Sequence, residues 1–324
     1  MTLAKVGCII IGGNKVLYQE VRAIKVYEYG AGKIPKGKRV IALGFFDGVH
    51  LGHREILKRA VSEAKALGIP SAVFTFLSES VGLKGEKRIY STKEKLSLIS
   101  ECGIDEAIVA DFSSVKSVSA EDFIEKVLVG ALGCAIALSG ADFRFGKGAL
   151  GDTSLLSTLL ESHGASLICP DYVMADGEKI SSTRIKNLIL LGRVKEAAEL
   201  LGSPYSVTSE VQRGLGLGKT FGFPTVNTEI APGAVSLRNG VYSCRVLTGE
   251  KNYKAIANVG TCPTVGEREK HIETFILDFD GNLYGEEILI SFLDFIREEK
   301  KFDSIEQLKM QINIDITAAF GNKE

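Results

Sequence analysis

The sequence predicts an α/β domain built on a parallel sheet, followed by a small antiparallel β-barrel that ends in a helix. From residue 40 to residue 169, short apolar runs alternate with amphipathic helical patterns, each run beginning about thirty residues after the last. Beyond residue 204, strand patterns follow one another with almost no helix between them. A chain of 324 residues is long enough for two such domains.

The first domain repeats a strand and a helix. This alternation builds parallel sheets with right-handed crossovers, and ligands of such sheets bind at the carboxyl ends of the strands. Before this region, two apolar runs flank Gly12-Gly13-Asn14 and predict a hairpin. Strands are expected at 8–11, 16–18, 40–43, 72–76, 107–110, 135–138 and 166–169, and helices at 55–67, 93–101, 120–132 and 154–162.

The second domain begins after a short helix, 194–201, that ends at Gly202-Ser203-Pro204. Consecutive strands joined by short turns indicate an antiparallel sheet or a small barrel. Ser304 and Gln307 form a capping-box pattern that opens the last helix. The strands are expected at 207–211, 241–247, 254–259, 273–277 and 288–293.

Composition excludes several classes of partner. The net charge is −1, so the chain lacks the basic excess that binding to nucleic acid requires. No apolar run is long enough for a membrane helix, and the start lacks a convincing signal-peptide cleavage pattern. The six cysteines have no CxxC spacing and indicate reduced residues of a cytoplasmic protein. The oligomeric state stays open, with a weak homo-oligomer as one alternative.

The stretch 41–54 is the strongest candidate for a functional site. An apolar strand stops at Gly44, a glycine-punctuated turn carries His50 and His53, and a helical pattern follows. The N-H groups of a helix N-terminus attract anions, and two imidazoles can add hydrogen-bond donors. Each histidine alone could be an ordinary loop residue, but two of the four histidines in the chain lie here around Gly52. We therefore expect a phosphate site rather than a zinc site, for which further ligands are absent nearby.

Two more polar clusters lie in the first domain. The first, Ser181-Ser182-Thr183-Arg184, stands at a helix start, where the hydroxyl groups could serve simply as caps. The guanidinium of Arg184 favours a second phosphate contact. The other cluster, Asp142-Phe143-Arg144, follows the strand at 135–138 and is a weaker signal.

The second domain contains three candidate features. Gly214 to Thr220 resembles a P-loop, but Arg213 stands where the first glycine should be and no helix follows, so only a flexible glycine-rich loop over a nucleotide is expected. Thr225 and Asn227, two apart on a strand, share one face and could hold Mg²⁺ together with phosphates, or could be a polar strand edge. Glu273, in an apolar strand, could be a general base or could point to solvent.

These motifs together resemble the prokaryotic bifunctional riboflavin kinase/FAD synthetase family, from about residue 40 to the last helix. The resemblance implies a Rossmann-like parallel-sheet nucleotidyltransferase domain in residues 1–186, a helical linker in 187–203 and an antiparallel riboflavin kinase barrel in 204–324. The markers occur in the family order: 44–53 (GFFDGVHLGH), 142–146 (DFRFG), 180–184 (ISSTR), 222–227 (GFPTVN), 239–242 (NGVY), 283–285 (LYG) and 296–297 (IR).

The resemblance also implies the chemistry and the residues that perform it. The first domain would transfer AMP from ATP to FMN, giving FAD and pyrophosphate, and the second would convert riboflavin and ATP to FMN and ADP. The implied catalytic residues are His50, His53, Arg184 and Glu273. The implied ATP and phosphate contacts are Gly44, Phe46, Asp47, Gly48, Gly52, Ser181, Ser182, Thr183, Gly218, Lys219 and Thr220. The implied flavin contacts are Asp142, Phe143, Arg144 and Arg297, and Thr225 and Asn227 would carry Mg²⁺.

The chain departs from the family pattern at three places. Phe45 replaces the usual asparagine, Leu77-Ser78-Glu79-Ser80 replaces Glu-Pro-His-Pro, and Cys262 stands where arginine is common. The first two lie in the adenylyltransferase half, so the alternative is a riboflavin kinase whose adenylyltransferase domain is weakened or inactive. A flavin-binding module without activity would leave Glu273 and the histidine pair unexplained. A nucleotidyltransferase for another acceptor would explain the first half only.

Overall fold

Two six-stranded sheets form the two halves of the chain. The sequence predicts their types and their order, a parallel sheet followed by an antiparallel one. The computed structural model describes residues 8–12, 15–19, 24–31, 34–80, 87–213, 222–261 and 270–321. The chain divides into two units, residues 1–182 and 183–324. None of the described helices combines the length and the apolar character needed to span a bilayer.

The first unit contains ten strands and four helices in its described residues. The strands are β1 (Cys8–Gly12), β2 (Lys15–Gln19), β3 (Lys25–Glu28), β4 (Arg39–Leu43), β5 (Ser71–Phe76), β6 (Glu106–Ala110), β7 (Cys134–Leu138), β8 (Ser166–Ile168), β9 (Met174–Ala175) and β10 (Glu178–Lys179). The helices are α1 (Leu51–Leu67), α2 (Thr92–Glu101), α3 (Ala120–Asp122, continued by a π-helical stretch Phe123–Ala131) and α4 (Thr153–Ser162). The predicted hairpin is confirmed as β1 and β2, and β9 and β10 form a second hairpin.

The parallel sheet has the strand order β3-β6-β5-β4-β7-β8. The chain runs from β4 outward through β5 and β6, and then returns to place β7 on the other side of β4. The order therefore reverses between β4 and β7, which creates a crevice at their carboxyl ends. The strand β3 was not expected from the sequence, and it pairs in parallel with β6 at the edge of the sheet.

Helices cover both faces of this sheet. On one face Ile41 and Phe74 pack with Leu128, and on the other Ala42 packs with Leu57. Runs such as β4, in which every residue is buried, are typical of parallel strands covered on both sides.

The second unit begins with two helices and continues as the antiparallel sheet. Its elements are α5 (Ser182–Leu190), whose first residue belongs to the first unit, α6 (Val194–Leu201), β11 (Ser206–Glu210), β12 (Thr225–Glu229), β13 (Gly240–Thr248), β14 (Lys251–Thr261), β15 (Lys270–Ile276), β16 (Glu287–Arg297) and α7 (Ile305–Phe320). The strand order is β11-β16-β13-β14-β15-β12. The N-H of Gln212, just after β11, donates to the carbonyl of Asn227 in β12 at 2.8 Å. This bond links the two ends of the sheet, which is a nearly closed barrel.

The last helix covers part of the outer face of the barrel. Along β15, Ile272 and Thr274 are buried, whereas Glu273 between them is exposed. The residues that share the outward face, Val241, Ile256 and Phe275, pack with apolar side chains of α7, including Ile316 and Phe320.

Candidate active sites

The loop between β4 and α1 has an unusual backbone. Phe46 and Val49 have positive φ angles of 55° and 43°, and Gly48 has a φ of 86°. The ring of Phe46 folds back over Gly44, 3.1 Å from the position that a Cβ there would occupy. A side chain at position 44 would require this ring to move by a few tenths of an ångström. Positive φ angles at non-glycine residues are uncommon and costly, and they tend to cluster at functional sites.

His50 and His53 lie together at the end of this loop. His50 is the N-cap of α1, and its Nδ1 accepts a hydrogen bond from the N-H of His53 at 3.3 Å. Their rings stack with 3.6 Å between centroids. A Cβ at Gly52 would lie 3.3 Å from the His50 ring. The predicted helix start at residue 55 was wrong, because α1 begins at Leu51 and contains His53 in its first turn.

Both imidazoles are held in the neutral form. His50 is only 5% exposed, and burial, assisted by the positive charge of Lys179, lowers its pKa to about 4. The pKa of His53 lies well below its usual range. Burial is the main cause, and the neighbouring His50, Lys179 and Lys95 lower the pKa further. Because Nδ1 of His50 accepts a hydrogen bond, its proton lies on Nε2, which is a donor. The first turn of α1 has no acidic residue, so the positive end of the helix is not offset there.

Lys179 is a candidate site residue that was not expected from the sequence. Its ammonium group donates to Asp142 at 2.6 Å and lies 3.8 Å from the centre of the Tyr172 ring. Its positive charge is one of the causes that lower the pKa values of His50 and His53. Lys179 is more than 120 residues from His50 in sequence, so only the fold brings them together. The predicted flavin contact Asp142 is therefore part of an ion pair at this crevice.

Asp47 connects the histidine loop to two other segments. Its Oδ1 accepts from the N-H of Ile89 at 2.9 Å, and its carbonyl accepts from the hydroxyl of Ser182 at 2.7 Å. The structure thus brings Ser182 to the histidine loop, with Ser181 directly before it. Thr183 and Arg184 follow in the first turn of α5 and fall in the second unit.

A row of aromatic rings follows the carboxyl ends of β5, β6 and β7. Phe112 and Phe76 make an edge contact with 5.4 Å between centroids, and Phe112 is 38% exposed. Phe143 stacks on Phe145 at 6.0 Å, and Arg144 forms an ion pair with Asp152. The rings linked by successive contacts are Phe112, Phe76, Phe74, Phe123, Phe145 and Phe143. Of these six, only Phe143 was predicted from the sequence as a flavin contact.

In the barrel, three polar residues face each other across neighbouring strands. Asn227 of β12 is opposite Glu273 of β15, and Glu273 is opposite Asn258 of β14. Directly opposed residues share a face of the sheet, so the three side chains form one row on the outer face, and Thr225 shares that face by its two-residue spacing. Asn258 was not expected from the sequence, and only the strand register reveals it.

Arg297, the predicted flavin contact of the barrel, forms an ion pair with the last helix. The guanidinium of Arg297 binds both carboxylate oxygens of Asp315 in α7, at 2.8 to 3.1 Å. Asp315 also accepts from Gln311 at 2.9 Å. This arrangement attaches α7 to the end of β16, and a flavin contact of Arg297 stays a prediction. Gly218, Lys219 and Thr220 lie outside the described residues.

Comparisons with known proteins agree with this arrangement. The sequence model of the FAD synthetase family matches residues 33–184, and that of the riboflavin kinase family matches residues 201–321. The bifunctional riboflavin kinase/FMN adenylyltransferase of Escherichia coli K12 is 34% identical over 287 residues, covering 87% of this chain and 91% of the relative. The Bacillus subtilis protein of the same description is 32% identical over 292 residues, covering 87% and 92%.

A solved structure agrees in fold over nearly the whole chain. A protein from Streptococcus pneumoniae, described as a macrolide-efflux protein, superposes with a TM-score of 0.82 at 29% identity. The match covers 93% of this chain and all of that one. The predicted family, fold and enzyme class are thus confirmed: the chain belongs to the bifunctional riboflavin kinase/FMN adenylyltransferase family, with an N-terminal FAD synthetase domain and a C-terminal riboflavin kinase domain.

Proposed function

We propose that this chain makes FAD from riboflavin at two separate sites, with FMN adenylylated at the crevice between β4 and β7 and riboflavin phosphorylated on the outer face of the barrel. The observation that supports the first site best is the pair of stacked neutral histidines at the start of α1. Its position at the reversal of strand order is where open α/β sheets bind their ligands.

At the first site, a phosphate oxygen of FMN attacks the α-phosphorus of ATP, and the bond to the departing pyrophosphate breaks. The Nε2-H of His50 donates to an oxygen that gains negative charge in this step, with His53 beside it. The backbone N-H groups at the start of α1 and the ammonium of Lys179 add positive potential. The backbone around Gly44, Phe46, Asp47, Gly48 and Gly52 approaches the phosphates closely. Ser181, Ser182, Thr183 and Arg184 complete the ATP contacts.

The aromatic row provides the surface for FMN in the same crevice. Phe112 and Phe76 present apolar edges that suit a flat isoalloxazine ring. The Asp142–Lys179 pair and Arg144 lie on the side of β7, where polar parts of the flavin nucleotide would bind. Phe143 continues the apolar surface to that side.

At the second site, Glu273 accepts the proton from the terminal ribityl hydroxyl of riboflavin, whose oxygen then attacks the γ-phosphorus of ATP while ADP leaves. The oxygens of Thr225 and Asn227 on the same face, beside the Glu273 carboxylate, are the hard donors that Mg²⁺ prefers, so these residues fit this ion. Mg²⁺ would neutralise the phosphate charge. Among the described residues, no group of three His, Cys, Asp or Glu side chains that could hold a metal ion was found. Gly218, Lys219 and Thr220 would cover the nucleotide, and Arg297 would lie near the flavin.

The cytoplasm is the proposed location of this activity. Cys102, Cys134, Cys169 and Cys244 are free thiols, which suit a reducing compartment.

The experiment that tests two separate sites compares Glu273→Ala with wild type, using riboflavin or FMN as the substrate with ATP and Mg²⁺. Loss of the general base should lower riboflavin phosphorylation by about 10²- to 10⁴-fold. FMN adenylylation should stay within about twofold of wild type, because Glu273 belongs to the other sheet. Glu210→Ala, an exposed carboxylate of the same barrel, is the control. An equal loss of both activities in Glu273→Ala would contradict the proposal.

A further inference from the structure

Lys95 is a buried lysine behind the histidine loop, and none of the site motifs includes it. It lies in α2 and is only 1% exposed. Its ammonium group donates to the carbonyl of Phe76 at 2.6 Å and to the carbonyl of Phe45 at 3.2 Å. The hydroxyl of Thr75 also donates to the Phe45 carbonyl, at 3.0 Å. The carboxyl ends of β4 and β5 are therefore joined through one nitrogen atom.

The side chain of Phe45 completes this arrangement. The Lys95 nitrogen lies 4.3 Å from the centre of the Phe45 ring, and the guanidinium carbon of Arg88 lies 5.0 Å from it. A cation close to an aromatic ring is attracted by the negative charge of the ring face. An isolated ammonium group inside a protein is costly, so it needs such partners. The replacement of the usual family asparagine by Phe45 therefore has a structural role in this chain.

The charged groups around Lys95 come from four elements. Asp47 faces it from the loop after β4, Glu79 from the loop after β5, Arg88 from the segment before α2, and His53 from α1. Burial lowers the pKa of Lys95 to about 8. The carboxylates of Asp47 and Glu79 raise this pKa, and the guanidinium of Arg88 lowers it slightly. Lys95 is therefore mostly protonated at neutral pH. It loses its proton near pH 8, within the pH range in which enzymes are assayed.

We propose that Lys95 is a positioning residue for FMN adenylylation, because its ammonium group fixes the start of the loop that presents His50 and His53. The inference rests on the proposed role of that loop. Lys95 is too deeply buried to contact a phosphate itself, and it acts through the Phe45 carbonyl. The next residue, Phe46, has a positive φ, and such backbone persists only where surrounding contacts hold it. Loss of these contacts moves the histidines away from the positions that the transferred group requires.

The test uses the full chain with Lys95→Met, Lys95→Arg and the control Lys93→Met, which removes an exposed lysine from the same helix. Each preparation is assayed for FMN adenylylation and for riboflavin phosphorylation. Lys95→Met should lower the kcat of adenylylation by about 10- to 100-fold, since small displacements of catalytic groups have effects of this size. Phosphorylation should be unchanged, and Lys93→Met should equal wild type in both. Lys95→Met with adenylylation within about twofold of wild type would overturn the proposal.

A pH profile separates positioning by the charged group from simple packing. In wild type, adenylylation should decline as the pH rises through about 8, where Lys95 loses its proton and the charge-assisted bonds weaken. Lys95→Arg stays charged and should show no such decline, and phosphorylation should show none in any variant. The same decline in Lys95→Arg would overturn the proposal. This result is decisive even if Lys95→Met fails to fold and loses both activities. His50→Asn tests the underlying site separately, because unchanged adenylylation in that variant refutes the proposed function whatever Lys95 does.

Discussion

His50 caps a helix and has a proposed catalytic role, and one substitution can separate the two. Its Nδ1 caps α1 by accepting the N-H of His53, and its Nε2-H is the proposed donor to the transferring phosphate. Asparagine is a good N-cap residue with a side-chain oxygen that can accept the same N-H. Its side chain is too short to replace the imidazole at the phosphate. His50→Asn therefore removes the donor and keeps the cap, whereas His50→Ala removes both.

The expected magnitudes follow from these contacts. Loss of an N-cap acceptor costs about 1 kcal/mol of stability, which His50→Ala should show and His50→Asn should largely avoid. Loss of one preorganised donor to a developing negative charge costs about 10²- to 10³-fold in kcat, or about 3–4 kcal/mol. Both variants should therefore lose FMN adenylylation to a similar extent and differ in stability.

The assay measures FAD formed from FMN and ATP, and FMN formed from riboflavin and ATP, in the same preparations. Riboflavin phosphorylation reports on the barrel and should stay at the wild-type level. His163→Asn, which changes an exposed histidine of the same unit, should retain both activities. Adenylylation by His50→Asn within about tenfold of wild type would show that His50 is not a donor in the reaction.

Two further predictions concern pH and the last helix. Because burial lowers the pKa of His50 from 6.5 to about 4, the unfolded chain binds its proton first, so the first unit should lose stability as the pH falls through this range, by about 3 kcal/mol at most. The stability of residues 39–67 can be measured by urea unfolding at each pH, with hydrogen exchange pulses at one fixed pH as the probe. The loss of stability at low pH should be smaller in His50→Asn than in wild type. An equal loss in both proteins would show that His50 is not its cause. Asp315→Ala leaves the guanidinium of Arg297 without its carboxylate, which should cost about 3 kcal/mol and speed hydrogen exchange in residues 305–320. Unchanged exchange in that helix would show that the ion pair does not hold it.

The sequence was sufficient for both sheets because their patterns are strong and local. Strands such as β4 and β5 are continuous apolar runs between turns, and the barrel strands follow each other without helices. The strand β3 was missed because its four residues include charged residues at both ends, and it forms by pairing with β6. The start of α1 was misplaced because histidine is not among the usual N-cap residues.

The candidate sites could be predicted only where their residues are close in sequence. His50 and His53 are three residues apart, so their grouping was visible. Lys179 and Lys95 reach the same loop from distant segments, through the hairpin of β9 and β10 and through α2. Their contribution depends on sheet order and on burial, which a single sequence does not display.

We propose that both activities operate in this one chain although the histidine loop carries Phe45 and the loop after β5 departs from the family pattern. The measurement is chromatography of the flavins formed by the purified wild-type protein in two mixtures. One contains riboflavin, ATP and Mg²⁺, and the other contains FMN, ATP and Mg²⁺. We predict FAD in both mixtures. FMN as the sole product of the first mixture, with no product from the second, would contradict this proposal and indicate a riboflavin kinase with an inactive adenylyltransferase domain.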